Sequence, residues 1–472
     1  MICQSYLYEH IENYILKLAE KKIVTPGEKL PSLRTISKTF QVSMTTAMKA
    51  YEELESKGLI YSVEKSGYYL KPQNSVKIPE RKNSIINKSP VENIDIINSI
   101  LNDTQNKNIL PLGAAVASPK LMPHKELKSF TREVINGSEN QYINYTATAG
   151  FYDLRVEIAR LMALRDFYVS PEEIIITNGA MEGIFYILSS VAEQGDAIAV
   201  ESPTYFGYQH VLKKLGMYPV EIPACPEKGI DIDYLQKAKD KYDIKCIITQ
   251  PAFSNPTGSL MCEDKKHYLR SLASEKFIII EDDTFGTLSH TYKKITPLAN
   301  PSKTDHIIYV SSFSKTVSPG SRIGWIIPNK YYKDVYEAKL ANNMSSASLP
   351  QLVMAKYLQS GKFHNHIKKL SKTLFLQISA YREELSRLFG SSIRMTNPKG
   401  GFLLWLQLPE KTDTLVLYHK ALDHGIGFSP GAIFSSKPDK FRNYLRINCG
   451  YPLNAGIEKG LCKIYELYNR MF

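Results

Sequence analysis

The stretch Ser312-Phe313-Ser314-Lys315 is followed, seven positions after the lysine, by Arg322 in Pro319-Gly320-Ser321-Arg322-Ile323-Gly324-Trp325. A lysine that forms a Schiff base must be partly deprotonated, so it needs surroundings that favour the neutral amine. The hydroxyls of Ser312 and Ser314 are short donors, and the guanidinium of Arg322 is a planar, permanently charged fork. Both kinds of group suit a phosphate. The stretch therefore combines a candidate Schiff-base lysine with a candidate phosphate site.

Five short apolar, β-branched runs predict buried parallel strands at 174–177, 197–200, 246–249, 277–280 and 307–311. The segments between them have helical periodicity, and this alternation is expected of an α/β fold. A polar turn or a reactive residue follows each run: Asn178-Gly179-Ala180, Glu201-Ser202-Pro203-Thr204-Tyr205, Asn255-Pro256-Thr257-Gly258, Asp282 and Lys315. Because ligands in open α/β sheets sit outside the carboxyl ends of the strands, these residues predict one assembled site.

The string S-F-S-K-x-x-x-P-G-x-R-x-G-W resembles the lysine segment of fold-type I pyridoxal-phosphate enzymes, the aminotransferase superfamily. The resemblance implies an α/β domain with a mainly parallel sheet, a large and a small lobe, and pyridoxal 5'-phosphate as cofactor. It also implies three catalytic residues. Lys315 would carry the aldimine, Asp282 would keep the pyridine nitrogen protonated so that the ring withdraws electrons, and Tyr205 would stack on the ring.

The same resemblance implies the remaining cofactor contacts. Asn255 would hydrogen-bond the ring's 3′-oxygen, while Arg322 would clamp the phosphate. Further phosphate contacts are expected from Ser312, Ser314 and the helix start Gly179-Ala180-Met181, whose free backbone N–H groups follow a strand. Tyr145, five residues before Gly150, resembles the tyrosine that reaches the phosphate of the neighbouring subunit, which implies a homodimer.

Arg446, in Tyr444-Leu445-Arg446-Ile447-Asn448, resembles the arginine that binds a substrate α-carboxylate. A structural arginine is the alternative, because Arg394 and Arg442 lie nearby in the sequence. For Asp283, a helix-capping carboxylate is an equally good interpretation.

One residue departs from the family pattern. Where these enzymes usually have Asp-x-x-Tyr, the chain has Asp282-Asp283-Thr284-Phe285. The missing hydroxyl would donate to the cofactor's 3′-oxygen and so favour the deprotonated aldimine. We therefore expect cofactor binding to survive, with weak or partial transaminase activity.

The first 72 residues carry a different pattern. Apolar residues at helical spacing run through 5–21, a turn containing Pro26-Gly27 follows, and helix starts are predicted at Ser32 and near Met44. The segments 59–63 and 68–70 predict a two-stranded wing. The elements L-P-S-x-R, V-S-x-x-T, A-Y-x-x-L-x-x-x-G-L-I and S-G-Y-Y-L occur in this order and resemble a GntR-type winged helix-turn-helix.

That resemblance implies contacts with double-stranded DNA, in which a helix face enters the major groove while other residues touch phosphates. The predicted DNA-binding residues are Arg34, Ser43, Thr45, Thr46, Lys49 and Gly67. Many family members carry arginine where this chain has Met44 and Met48. Contact with thymine methyl groups is one interpretation of these methionines, whereas core packing is the one we expect for Met48. Residues 1–72 hold ten Lys or Arg and eight Glu, so most of the chain's net charge of +12 lies elsewhere.

Residues 73–107 are rich in Lys, Asn, Ser and Pro and predict a linker, with a helical turn or more around 91–101. They would join a DNA-binding domain at 1–72 to an aminotransferase-like domain at 108–472. The 472 residues, of which 43% are hydrophobic, fit one small and one large domain.

The six cysteines have no metal or redox spacing, and the chain has no signal peptide or 18-residue apolar run. We therefore expect free thiols, no metal site, no membrane span and a cytoplasmic location. His364-Asn365-His366 is interpreted as a solvated helix face, because residues two apart on a helix face different sides.

A DNA-binding segment joined to an aminotransferase-like domain is the architecture of MocR/GabR-type transcriptional regulators, and the resemblance covers essentially the whole chain. The leading hypothesis is a pyridoxal-phosphate-dependent regulator that senses an amine, an amino acid or the cofactor itself through aldimine chemistry at Lys315. The alternative is a working aminotransferase with an accessory DNA-binding domain. The retained Lys315, Asp282 and Asn255 favour that alternative, and Phe285 disfavours it.

Overall fold

The computed structural model describes residues 7–63, 66–71, 77–80, 94–103, 106–137, 140–291, 294–299, 305–437 and 439–472. In these ranges the chain forms an N-terminal three-helix unit with a two-stranded wing, followed by an α/β unit with a large and a small lobe. None of the described helices is long and apolar enough to cross a membrane.

The N-terminal unit contains helices α1 (Leu7–Glu20), α2 (Leu33–Phe40) and α3 (Met44–Ser56) and strands β1 (Ile60–Val63) and β2 (Gly67–Leu70). Helices α2 and α3 begin in the same way. The hydroxyls of Ser32 and Ser43 accept hydrogen bonds from the backbone N–H groups three residues later, as serine commonly does at helix starts. Strands β1 and β2 pair antiparallel and form the wing. The predicted winged helix-turn-helix is therefore confirmed.

Helix α3 packs against the rest of this unit through one face. Ala47, Ala50, Tyr51 and Leu54 are fully buried there, and the Tyr51 hydroxyl donates to the carbonyl of Pro31 at 2.7 Å. Met48 is 47% exposed. The prediction that Met48 packs in the core is therefore wrong, because Ala47 and Tyr51 take the inward positions of that turn.

Along the chain, helix α4 (Ile94–Asp103) and strand β3 (Leu110–Pro111) come between the N-terminal unit and the large lobe. Helix α4 falls inside the predicted linker and covers most of the stretch for which the sequence predicts a helical turn. Its residues Ile97 and Ile100 are buried in the core of the small lobe. This part of the predicted linker is therefore packed against the α/β unit.

The large lobe is built on an eight-stranded sheet of order β4-β11-β10-β9-β8-β5-β6-β7. Its strands are β4 (Ile175–Thr177), β5 (Ala197–Ser202), β6 (Tyr218–Cys225), β7 (Gly229–Ile230), β8 (Ile244–Thr249), β9 (Ile278–Asp282), β10 (Ile307–Ser312) and β11 (Gly324–Ile327). The neighbours from β10 to β6 pair in parallel, whereas β11 is antiparallel to both β10 and β4. All five predicted strands are present. Strands β6, β7 and β11 were not predicted. The apolar run of β11 is short and begins at a glycine, β7 has only two residues, and β6 is interrupted by prolines and a glutamate.

Apolar clusters cover both faces of this sheet. Along β10, Ile307 and Tyr309 belong to one cluster, and Ile308 and Val310 belong to another. Such two-sided burial explains why the strands are apolar without interruption. The helices of the large lobe are α5 (His124–Asn136), α6 (Tyr152–Ala163), α7 (Ala180–Val191), α8 (Phe206–Leu215), α9 (Ile232–Lys241), α10 (Glu263–Leu272), α11 (Tyr332–Asn343) and α12 (Ser348–Gln359).

The long helix α13 (Lys362–Phe389) connects the two lobes, since Phe363 packs in a large-lobe cluster and Tyr381 in the small-lobe cluster. The small lobe has an antiparallel sheet of order β12-β13-β16-β15. Its elements are β12 (Arg394–Met395), β13 (Leu403–Gln407), α14 (Thr414–Leu422), β14 (Ile426–Gly427), β15 (Ser429–Pro430), β16 (Tyr444–Asn448) and α15 (Ala455–Asn469). Strand β14 pairs in parallel with β3.

Candidate functional site

A cavity of about 180 Å³ opens at the edge of the large sheet where β9 and β10 end. Ten of the residues predicted to bind the cofactor or a substrate line it: Ala180, Met181, Tyr205, Asn255, Asp282, Ser312, Ser314, Lys315, Arg322 and Arg446. Gly179 lies directly beside Arg322. Tyr145 does not line this cavity and is 90% exposed. Both lobes contribute residues to the walls, so the site depends on how the lobes are held together.

Lys315 lies in the turn that follows β10. Its ammonium donates a hydrogen bond to the carbonyl of Ala115 at 2.7 Å. Burial, reinforced by the positive charges of Arg446 and Arg322, lowers the pKa of Lys315 to about 8, although Asp282 opposes the change. A lysine with this pKa is partly neutral near pH 7, which is the property that a Schiff-base nucleophile requires.

Asp282 stands at the end of β9 and accepts four hydrogen bonds. The Tyr208 hydroxyl and the Gln250 side-chain amide donate to one carboxylate oxygen at 2.5 and 3.1 Å. The backbone N–H and the hydroxyl of Thr284 donate to the other oxygen at 2.9 and 2.5 Å. Burial nevertheless raises the pKa of Asp282 above its usual value. A cation facing this carboxylate would keep it ionised, so the site fits a protonated pyridine nitrogen.

Tyr208 and Gln250 were missed in the sequence analysis. Gln250 directly follows β8, and this position at a strand end is a signal that could have identified it. Tyr208 lies within α8, and its distance of 74 residues from Asp282 along the chain left no local signal.

A candidate anion-binding corner lies where α7 begins. Helix α7 has no side-chain cap, so its first backbone N–H groups remain available. Gly179 has φ of 88°, and a Cβ atom at this position would lie 2.4 Å from the Nη2 atom of Arg322. Arg322 donates from Nη2 to the carbonyl of Asn178 at 2.7 Å, and Ser314 lies 3.5 Å from its Nη1 atom. A helix start, a guanidinium and two serine hydroxyls suit a phosphate group.

Arg446, on β16, is 1% exposed. Its Nη1 atom donates to the Asn255 side chain at 2.7 Å, and its Nη2 atom donates to the Ser429 hydroxyl at 3.0 Å and to the carbonyl of Gly113. Burial lowers the pKa of Arg446 to about 9. In the part of the chain that the structure describes, no carboxylate pairs with Arg446.

The surroundings of Arg446 differ from those of Arg394 and Arg442, its two arginine neighbours in the sequence. Arg394 pairs with Glu80, and Arg442 pairs with Asp413 at 2.8 Å. A buried guanidinium that lines a cavity without an acidic partner is suited to bind the carboxylate of a ligand.

Two aromatic residues shape the cavity beside Lys315. The Phe285 ring is 2% exposed, packs against Phe402 with 5.5 Å between ring centroids, and lies 5.9 Å from the Lys315 ammonium. It offers no hydroxyl to a bound molecule. Tyr205 packs against Phe206 and Tyr208 at 4.6 and 5.5 Å and keeps one side on the cavity.

Two expectations near the site need correction. Asp283 does not cap a helix: it accepts a hydrogen bond from the Tyr309 hydroxyl at 2.8 Å and pairs with Arg165. His366 is not merely solvated, since its Nε2 atom lies 2.6 Å from the carbonyl of Thr316, next to Lys315. Long-range contacts of this kind leave no periodic pattern. Across the described ranges, no group of three or more His, Cys, Asp or Glu residues is placed to hold a metal ion.

Five of the predicted DNA-binding residues lie on α2, α3 and the wing, and Ser43 directly precedes α3. Arg34 and Thr45 are exposed. The hydroxyls of Ser43 and Thr46 lie 2.8 Å apart, so both take part in the start of α3. The Lys49 ammonium lies 4.6 Å from the ring centroid of Tyr8. Gly67, at the wing, has φ of 120°, a conformation that favours glycine.

Comparisons with known proteins agree with both units. Residues 7–70 match the family model of the gntR family of bacterial regulatory proteins, and residues 112–456 match that of aminotransferase class I and II. The chain is 31% identical to the uncharacterized HTH-type transcriptional regulator YjiR of Escherichia coli (strain K12), over 98% of this chain and 99% of YjiR. It is 28% identical to the HTH-type transcriptional regulator NorG of Staphylococcus aureus (strain USA300), over 94% of this chain and 100% of NorG.

Among solved structures, a kynurenine aminotransferase from Pyrococcus horikoshii, in complex with PMP, is similar with 26% identity and a TM-score of 0.73. The similarity covers 80% of this chain and 95% of that one. The aminotransferase model alone covers well over half of the chain, and the full-length relatives contain the helix-turn-helix as well. The chain therefore belongs to the MocR-type family, in which a GntR-family helix-turn-helix domain precedes an aminotransferase class I and II domain.

Proposed function

We propose that this protein is a transcriptional regulator that binds duplex DNA through its N-terminal unit and pyridoxal 5'-phosphate through the Lys315 cavity. An amine, an amino acid or the cofactor itself would change its DNA binding. The observation that carries this proposal is the presence, in one chain, of a complete winged helix-turn-helix and a cavity with a partly neutral lysine. The names of YjiR and NorG, both HTH-type transcriptional regulators, support it.

Pyridoxal 5'-phosphate supplies a carbonyl carbon that amines attack and a ring that withdraws electrons. The residues of this chain would hold and orient it. Lys315 would supply the neutral amine, Asp282 would hold the protonated ring nitrogen, and Arg322 would bind the phosphate at the start of α7. Tyr205 and Phe285 would exclude water from the ring's surroundings.

Arg446 favours an effector that carries a carboxylate. Its guanidinium is buried at the cavity wall and has only uncharged partners among the described residues. A carboxylate bound there would form a charge-assisted pair and offset the cost of burying the cation. An amino acid has both the amine that the lysine site needs and this carboxylate.

A working aminotransferase is the second candidate, and the similarity to the kynurenine aminotransferase of Pyrococcus horikoshii favours it. Lys315, Asp282 and Asn255 all line the cavity, as that candidate requires. Phe285 is the observation against it, because no hydroxyl from this position reaches the cavity.

A homodimer is consistent with an exposed apolar surface around Tyr145. Tyr145, Ile143 and Met344 are 90%, 69% and 62% exposed. They belong to two loops in contact, since the hydroxyls of Thr146 and Ser345 lie 2.9 Å apart. A second copy covering this surface would bury these side chains and bring Tyr145 towards another cavity.

The small lobe offers a route from the cavity to the DNA-binding unit. Glu80, in the linker, pairs with Arg394 on β12, its N–H donates to Gln407 on β13 at 2.6 Å, and its carbonyl accepts from the Tyr444 hydroxyl at 3.0 Å. Tyr444 shares β16 with Arg446. A shift of β16 on effector binding would therefore pull on the linker that leads to the N-terminal unit.

The rate at which the cofactor attaches should depend on pH through the ionisation of Lys315. Only the neutral amine attacks a carbonyl, and the pKa of Lys315 is about 8. After addition of pyridoxal phosphate, the rate at which visible absorbance appears should therefore rise about tenfold per pH unit below pH 8 and level off above it. Lys315→Ala should remain folded and give no such absorbance. A flat profile between about pH 6 and 8, or unchanged absorbance in the variant, would contradict this prediction.

Phe285→Tyr should raise the rate of transamination. A hydroxyl at this position can donate to the cofactor's 3′-oxygen, so we expect at least a tenfold gain in keto-acid formation over a wild type slower than about 1 s⁻¹. Steady-state assays with a panel of amino acids measure it, with Lys315→Ala as the inactive control. Wild-type turnover at or above that rate would instead favour the aminotransferase alternative.

Loss of the ion pair at Glu80 should uncouple the two units. We expect the change in DNA dissociation constant on addition of an amino acid effector to be several-fold smaller in Arg394→Gln than in the wild type. Cofactor affinity should stay unchanged. Arg442→Gln is the matched control, because it removes another small-lobe ion pair that does not involve the linker. An unchanged ratio in Arg394→Gln would exclude this route.

Arg34→Ala should weaken binding to all duplex sequences, because a phosphate contact carries no base information. The slope of the logarithm of the binding constant against the logarithm of salt concentration should become shallower by about one. Fluorescence anisotropy of the full-length protein with duplexes at several salt concentrations measures both effects. Lys17→Ala, which removes an exposed cation on α1, should leave the slope unchanged. Absence of salt-sensitive DNA binding by the wild type would overturn the proposed function.

A further inference from the structure

The outer face of α3 carries two long apolar side chains. Met44 and Met48 are 46% and 47% exposed and lie four residues apart, on one side of the helix. Thr45, Lys49 and Glu52 are the other exposed residues of this face. The opposite face already forms the core of the unit, so the fold itself does not require methionine at either position. The two thioethers together form a small apolar patch on the outer face of α3.

The polar groups on and beside this face are few, and several are already engaged. The Ser43 and Thr46 hydroxyls lie within hydrogen-bonding distance of each other. The Lys49 ammonium, the only cation on α3 before its C-terminal end, is placed over the Tyr8 ring. Glu52 is an acid. Guanine is usually read by the paired donors of an arginine or by a free lysine, and α3 presents no arginine.

The helix position limits what can cover the methionines. Helix α3 is the second helix of the helix-turn-helix, and the N-terminal residues of that helix contact base edges in the major groove. Met44 is its first residue and Met48 lies one turn later. The apolar feature that the major groove presents is the 5-methyl group of thymine. A flexible, polarisable thioether can adapt to a methyl group at either position.

We propose that Met44 and Met48 read thymine methyl groups, so that the preferred half-site carries T·A pairs opposite these two side chains. This inference rests on the proposed function and specifies the DNA that the N-terminal unit selects. Methyl contact supplies the discrimination, and contacts with phosphates supply most of the affinity.

Uracil tests this proposal, because it differs from thymine only in the missing methyl group. Full-length protein would first select duplexes from a random-sequence library. The preferred duplex would then be resynthesised with single thymines replaced by uracil, and affinities compared by anisotropy. We expect about fourfold weaker binding at one or two positions in each half-site, the effect of one buried methyl group. All other replacements should change affinity little.

Variants assign each position to a side chain. Met48→Ala should bind the thymine and uracil duplexes equally at one position, and Met44→Ala should do so at another, whereas Met48→Leu should keep the preference. Circular dichroism and cofactor absorbance check that the variants fold. Equal binding of thymine and uracil duplexes by the wild type, or selection of G·C pairs at these positions, overturns the inference while leaving regulation intact.

Two further outcomes distinguish thymine reading from a protein interface on α3 and from failure of the proposed function. If Met48→Ala alters self-association and not DNA discrimination, the face is a protein interface and the inference fails. If no duplex is selected and no salt-sensitive binding occurs, the proposed function fails, and this inference fails with it.

Discussion

The close approach of Arg322 to Gly179 is the constraint on which the cavity depends. A Cβ atom at Gly179 would lie 2.4 Å from the guanidinium, and one at Gly324 would lie 2.6 Å from the carbonyl carbon of Gly179. These contacts exist because β11 is inserted antiparallel between β10 and β4, with Gly324 opposite Thr177. The inserted strand brings the turn that carries Lys315 against the start of α7. A side chain at either glycine would push the candidate anion-binding corner and Lys315 apart.

The charges assembled by this packing explain why the cavity suits an anionic ligand. Lys315, Arg322 and Arg446 line it together with one acid, Asp282. Burial and mutual repulsion lower the pKa of Lys315 to about 8, and burial lowers that of Arg446 to about 9. A phosphate and a carboxylate would compensate the excess of positive charge, so each ligand should stabilise the folded protein by an amount that grows with the logarithm of its concentration above its dissociation constant. Binding of the cofactor and binding of the effector would thus both reduce the electrostatic cost of burying these cations.

Local sequence patterns predicted five strands of the large sheet and the N-terminal unit, while the roles of most cavity residues came from the resemblance to the aminotransferase superfamily. Strand positions follow from apolar runs buried on both faces, and the residues after them converge because parallel strands end at one edge. The pattern failed where a contact joins distant segments. Tyr208 reaches Asp282 over 74 residues, and Glu80 reaches Gln407 over 327. The exposure of Met48 was missed for a different reason: apolar character predicts burial, but it does not distinguish burial in a core from burial against a partner.

Both candidate functional surfaces have an apolar group where the family resemblance led us to expect a polar one. At the cavity, Phe285 withholds a hydroxyl, yet the charged residues that would bind the cofactor remain. On α3, Met44 and Met48 carry no charge, whereas Arg34 on α2 is exposed and would be available for a phosphate contact. A regulator needs a difference in affinity between two arrangements of its lobes and not a fast reaction. A cavity that bound an amino acid and turned it over slowly would keep the small lobe in one arrangement for longer. Because the small lobe also contacts the linker through Glu80, that arrangement would be transmitted to the DNA-binding unit.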